Sequence, residues 1–237
     1  MKTVIITGAT GGLGSCITKY LVYDNTTHVI CTYRNQNKFD SVLCDSKEKI
    51  SRYKIENGEK YKEIEKLINS KTDEIIVILN AFSIDPIKAI GSYEASDIED
   101  MLECNIRQPI YLINVLTKYC NTNGIALRVI NIDSGAADFP LMGWGNYCSS
   151  KSYINAFLSV LLLENPEFKI VSVDPGVMDT QMQAKIRGTS DKVFNKVAEF
   201  QQYKVNGMLR NPKNVAEYIV NRYVLSWNAV ELREKVK

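Results

Sequence analysis

Histidine is almost absent: the 237 residues contain only His28. A Ser-His-Asp triad would have to use a histidine at the start of a strand, and a zinc site would lack its usual ligands. No metal is expected. The six cysteines (Cys16, Cys31, Cys44, Cys104, Cys120 and Cys148) show no C-x-x-C spacing. They read as reduced, mostly buried thiols of a cytoplasmic protein. Charge of either sign is balanced to a net +2, too little to argue for a nucleic-acid or membrane surface. Long apolar runs are missing too. The longest clear stretch, Ala156 to Leu163, falls far short of a membrane span. The N-terminal "MKTVIITGATGG" breaks its apolar run with glycines and does not read as a signal peptide.

What remains is the composition of an ordinary globular protein, 45% hydrophobic and 24% charged. Apolar runs at 3–7, 28–33, 50–55, 74–80, 126–133 and 168–174 predict strands, with a short last strand at Val230-Glu231-Leu232. Helical patterns at 13–23, 59–69, 95–121, 145–164 and 212–226 alternate with them. Such alternation implies an α/β fold: a doubly wound parallel sheet of about seven strands with helices on both faces. Residues 1–237 read as a single domain. Segment 178–209 is polar and follows a Pro-Gly, which predicts an irregular or loosely helical excursion over the carboxyl ends of the strands.

The stretch "VIITGATGGLG", Val4 to Gly14, places glycines directly after a buried strand and before a helix. Glycine permits a tight turn and close backbone approach to a pyrophosphate, and the helix start offers free N–H groups to it. The stretch can be spelled with Gly8, Gly12 and Gly14 or with Gly8, Gly11 and Gly14.

Further along, "VINIDSGAADFPLMGWGNYCSSKSYINAF" carries Ser134 at a strand end and Tyr147 and Lys151 four apart on one helix face. A tyrosine phenol titrates near pH 10. An ammonium at about 4 Å, at an effective dielectric of about 20, attracts a phenolate by roughly 4 kcal/mol before desolvation. The spacing therefore predicts a tyrosine whose pKa is lowered by Lys151, with Ser134 bonding a substrate oxygen where negative charge develops.

Together these motifs resemble the short-chain dehydrogenase/reductase family, of the classical type, over nearly the whole chain. Its cofactor loop matches Gly8, Gly12 and Gly14, flanked by Thr10 and Leu13. Its catalytic tetrad matches Asn105, Ser134, Tyr147 and Lys151. "DPGVMDTQM" matches its segment beside the nicotinamide, implying cofactor contacts from Pro175, Gly176, Val177 and Thr180, as do Asn80 and Ala81 after the fourth strand. The resemblance implies a Rossmann fold. It also implies that Tyr147 donates a proton, that Tyr147 and Lys151 meet the nicotinamide ribose, and that Asn105 fixes a helix distortion. The spelling Gly8-Gly11-Gly14 belongs to extended members with a large C-terminal domain. Only 90 residues follow Tyr147, so the classical spelling is preferred.

"NIDSGAA", "GWGNYCSSK" and "PGVMDTQMQAKIR" are similar to the sepiapterin reductase and benzil reductase branch, whose members reduce carbonyls beside a second carbonyl or an aromatic ring. The family's N-N-A-G is here Leu79-Asn80-Ala81-Phe82. Steric reasoning expects the Phe82 ring to turn away from the adenosine ribose or into a neighbouring helix. No acidic residue ends the second strand; Arg34 stands just past it, suited to a 2′-phosphate or simply solvated, so NADP(H) is the expected cofactor. Trp144 and Met178 form either an apolar substrate wall or ordinary packing.

The expected function is NADPH-dependent reduction of a small carbonyl substrate by a homodimer or homotetramer built on helices 109–120 and 154–163. Alternatives are an oxidoreductase of a biosynthetic intermediate such as a modified sugar, or a non-catalytic NADP(H)-binding sensor.

Overall fold

Lys2–Ile6 forms β1, and its residues point alternately to the two faces of a sheet covered on both sides. Val4 and Ile6 enter one hydrophobic cluster and Ile5 the other. The computed structural model describes residues 1–43, 50–55, 61 and 63–236. Cys44 and the start of the helix expected over 59–69 lie outside the described residues. Six more strands join β1: β2 (Thr27–Tyr33), β3 (Ile50–Lys54), β4 (Glu74–Leu79), β5 (Ala126–Ile132), β6 (Lys169–Asp174) and β7 (Arg233–Lys235). They form one sheet ordered β3-β2-β1-β4-β5-β6-β7, with every pair parallel. The chain is a single-domain α/β Rossmann-like fold. The strand order reverses between β1 and β4, which opens a crevice at their carboxyl ends.

Helix α1 (Gly12–Leu21) packs with α8 (Pro212–Ile219) on the Val4 and Ile6 face. Helices α4 (Gln108–Asn123) and α5 (Gly145–Glu164) cover the Ile5 face. A short α2 (Gln36–Val42), not anticipated from periodicity, is started by the Asn35 side chain, which accepts from Lys38 N at 2.9 Å.

The single helix expected over 95–121 is instead three pieces. Helix α3 (Ala95–Met101) runs into a π-helical stretch, Leu102–Arg107, before α4. Pro109 has no N–H to continue the i→i−4 ladder, and the wider turn brings Cys104 and Asn105 inward, Asn105 to complete burial. A second π-helical stretch, Val220–Leu225, ends the helix expected over 212–226. The last strand falls three residues beyond Val230-Glu231-Leu232, where Arg233 can reach Asp133. Segment 178–209 is more ordered than its composition suggests: it holds α6 (Gln181–Arg187) and α7 (Val197–Val205). Among the described residues, no helix is long and apolar enough to cross a membrane.

Candidate active site

The glycine loop ends β1 at the mouth of the crevice. Gly8 has φ +64°, a conformation costly for side-chain-bearing residues. A Cβ on Gly14 would stand 2.3 Å from the Gly8 carbonyl oxygen and 2.5 Å from Asn80 Nδ2. One on Gly12 would stand 2.8 Å from Thr180 Cγ2. Gly11 is less demanding, with Gly8 O at 3.3 Å. The crowding therefore falls on Gly8, Gly12 and Gly14, the classical spelling. Thr10 is half-buried in this loop and Leu13 buried behind it. Asn80 latches the loop to β4, donating from Nδ2 to Thr7 O at 3.2 Å and Gly8 O at 3.1 Å. In return Thr7 Oγ1 accepts from Asn80 N and Ala81 N. Helix α1 begins at Gly11 without a side-chain cap, so its first N–H groups suit an anionic ligand.

Pro175, Gly176 and Val177 leave β6 above this loop. Gly176 has φ +73° and donates its N–H to Asp174 Oδ1 at 2.8 Å. Thr180 caps α6 and packs on Gly12. Arg34, exposed at the end of β2, lines a cleft with Thr7, Tyr61, Ala81 and Phe82. Its Nη2 donates to Cys104 Sγ at 3.6 Å.

Ser134 follows β5, where its Oγ accepts from Ala136 N at 3.2 Å. Tyr147 and Lys151 share the inward face of α5. Burial pushes the Tyr147 phenol well above its ordinary pKa, with the neighbouring Ser134 acting against that shift. Burial also lowers the Lys151 ammonium to about 7, opposed by Asp133, Cys104 and Asp174. Lys151 Nζ donates to Ile132 O at 2.5 Å and sits 3.1 Å from the centroid of the Phe82 ring. It lies 5.8 Å from the Tyr147 centroid. The expectation that Lys151 lowers the Tyr147 pKa is thus corrected: the ammonium is directed to Ile132 and Phe82, and burial dominates the phenol.

Asn105 Oδ1 accepts from Ser83 N at 2.8 Å, and its Nδ2 donates to Ser83 O at 2.7 Å and Ser150 Oγ at 3.1 Å. It ties the π-helical stretch to both the β4 exit and α5.

Trp144 and Met178 do not share a wall. Trp144 stacks on Phe194 with centroids 4.9 Å apart and meets Tyr147 edge-on at 5.7 Å. Phe200 and Met182 complete that cluster, whereas Met178 packs in the layer of α1 and α8. Sequence reasoning gave no role to Met182 and did not single out Phe194 or Phe200, whose polar, Lys- and Gln-rich surroundings hide them. It also missed Arg233, whose guanidinium reaches the buried Asp133 Oδ2 at 2.9 Å beside Ser134. Only spatial pairing could reveal that contact.

Comparison with known proteins matches residues 2–191 to a family described as short chain dehydrogenase. The chain belongs to that family. It is therefore a short-chain oxidoreductase, of a family that binds nicotinamide cofactors. Its relatives include a benzil reductase ((S)-benzoin forming) of Bacillus cereus, 34% identical over 233 residues, with 93% of each chain covered. The enzyme of the same description from Bacillus subtilis is 32% identical, covering 91% of this chain and 90% of its own. The solved structure of KRED1-Pglu superposes with a TM-score of 0.84 at 24% identity, covering 99% of this chain and all of that one. Membership in the benzil reductase branch follows from the first two. The short-chain dehydrogenase fold accounts for the crevice between β1 and β4.

Proposed function

We propose that the protein is an NADPH-dependent reductase of small ketones or diketones. The observation that carries this reading is the placement of Ser134 at the end of β5 beside the buried, inward face of α5 that bears Tyr147 and Lys151. The crowded glycines and the uncapped start of α1 fit a dinucleotide. Gly8, Thr10, Gly12, Leu13 and Gly14 would hold the pyrophosphate, and Asn80 and Ala81 the adjoining ribose. Arg34 would hold the 2′-phosphate, and Pro175, Gly176, Val177 and Thr180 the nicotinamide. NADPH, when bound, supplies the hydride that adds to the carbonyl carbon.

The chain's own residues do the rest. Ser134 Oγ donates to the substrate oxygen as negative charge gathers there. Tyr147 passes its proton to that oxygen, completing the alcohol. Lys151 would donate to the nicotinamide ribose. Asn105 holds the end of β4 to α5. Trp144, Phe194, Phe200 and Met182, partly carried by segment 178–209, pack in one apolar cluster with Tyr147, which suits an aryl ketone at that phenol. Met178 is left to packing. Tyr153, Val160 and Leu163 are exposed along α5, which supports subunit pairing through α4 and α5.

The test is NADPH oxidation against aromatic diketones, aromatic ketones and sugar-like ketones. Turnover is expected to be fastest with aromatic diketones. Turnover on sugar-like ketones alone would favour a biosynthetic oxidoreductase, and tight NADPH binding with no turnover on any would replace the enzyme with a sensor.

A further inference from the structure

The Lys151 ammonium has an unusual neighbour. Phe82, from the loop after β4, presents its ring face to Nζ at 3.1 Å from the centroid. Among the described residues, Nζ has one hydrogen-bond acceptor, Ile132 O, and the side chain is 1% exposed. A buried ammonium bonded to one carbonyl is underserved, and a π face is the remaining electron-rich surface it meets. The ring is not placed there by chance packing alone. Phe82 N donates to Asn80 O at 3.1 Å, and the next residue, Ser83, is gripped at both its N–H and its C=O by the buried Asn105 amide. The π-helical stretch that turns Asn105 inward thus fixes the backbone from which the Phe82 ring projects.

We propose that Phe82 is a positioning residue for Lys151: its ring, anchored through Asn105, holds the ammonium against the Ile132 carbonyl and shields it from water. The ring then governs the pH range over which Lys151 is charged and able to donate to the cofactor ribose. The other groups facing Lys151, among the described residues, are Asp133 at the end of β5, Asp174 at the end of β6, Cys104 from the π-helical stretch and Tyr147 one turn back on α5. None of them lies on the segment after β4 that carries Phe82. The consequence for turnover rests on the function proposed above, but the state of Lys151 in the free protein does not.

Removing the π face and removing the shield have opposite signs. Phe82→Leu keeps the site dry but loses the ring, so the ammonium is less stable and ionisation falls to lower pH. Phe82→Gly admits water and moves it higher, toward the ordinary lysine range. Phe82→Tyr keeps both features. The primary measurement is the titration of the Lys151 Nζ signal in the cofactor-free protein by 15N-lysine NMR, assigned through its loss in Lys151→Met. The midpoint is expected to drop by about one pH unit in Phe82→Leu and to rise by about one unit or more in Phe82→Gly. Phe82→Tyr should match the wild type. An unmoved midpoint in Phe82→Leu, or a shift of the same sign in Phe82→Leu and Phe82→Gly, would overturn the proposal. If Phe82→Gly does not fold, the contrast between Phe82→Leu and Phe82→Tyr decides alone. The NADPH dissociation constant against pH, read by nucleotide fluorescence, should lose affinity at the same midpoints. Shifted NMR midpoints with an unshifted binding curve would uphold the Phe82 role and refute instead the proposed contact between Lys151 and the cofactor.

Discussion

The proposed preference for NADPH turns on Arg34. It stands exposed at the end of β2, on the rim of a cleft lined by Thr7, Tyr61, Ala81 and Phe82. Its hydrogen bond among the described residues, Nη2 to Cys104 Sγ at 3.6 Å, is to a thiol, a weak acceptor. Giving up that contact costs little, so nearly the whole gain from a phosphate is retained. A guanidinium meets a 2′-phosphate with paired, charge-assisted bonds, and a hydrogen bond to a charged group contributes about 1.5–3 kcal/mol. Arg34→Ala is therefore expected to weaken NADPH binding roughly tenfold to a hundredfold. NADH lacks the phosphate and should lose less than about threefold, since an exposed arginine adds only a screened, nonspecific attraction. Tyr33→Asp, which places a carboxylate where a ribose hydroxyl would bind, should reverse the preference. The assay is the dissociation constant of both nucleotides by fluorescence titration at one fixed ionic strength. An equal loss for NADPH and NADH in Arg34→Ala, or a wild type that already prefers NADH, would refute the assignment.

Gly14→Ala should lower stability by about 1–3 kcal/mol and sharply weaken NADPH binding, because its Cβ would lie 2.3 Å from the Gly8 carbonyl. Gly11→Ala should do far less; equal damage from the two, in urea denaturation and nucleotide titration, would undo the reading of the loop. Arg233→Ala leaves the buried Asp133 carboxylate with Asn155 Nδ2, at 2.9 Å, as its remaining side-chain donor. Because Arg233 is 38% exposed, the loss should be about 1–3 kcal/mol, less than the cost of breaking a fully buried pair. A change under about 0.5 kcal/mol by urea denaturation would show that solvent or another group takes over from Arg233.

The elements whose signal is local were legible in the sequence. Val4-Ile5-Ile6 could only be a strand buried on both faces, and the glycines after it are crowded where a backbone turn needs them. Ser134, Tyr147 and Lys151 were brought together by a strand end and a spacing of one helical turn. What could not be read depends on distant partners. The spacing that puts Lys151 beside Tyr147 does not say where Nζ points, and the carbonyl of Ile132 and the ring of Phe82 decide that. Steric reasoning marked Phe82 as out of place, yet not as a neighbour of the lysine. The π-helical break at Leu102–Arg107 arises from Pro109 together with the burial of Asn105, and helical periodicity averages over such a turn. Arg233 finds Asp133 from 100 residues away, which shifts the last strand beyond its apolar run. Met182 rather than Met178 faces Trp144 because α6 begins at Gln181 and carries it inward.

The proposed role of Tyr147 is to give its phenol proton to the carbonyl oxygen during NADPH-dependent reduction. Its most direct measurement is NADPH oxidation with an aromatic diketone by wild type and Tyr147→Phe at saturating nucleotide, with the NADPH dissociation constant of each determined alongside. Phenylalanine keeps the ring and its edge-on contact with Trp144 and removes only the hydroxyl. Turnover is expected to fall by about 10²–10⁴-fold, the range for a positioned proton donor, while nucleotide affinity changes by less than about threefold. Undiminished turnover in Tyr147→Phe, or a wild type that binds NADPH yet oxidises none with any carbonyl, would contradict it.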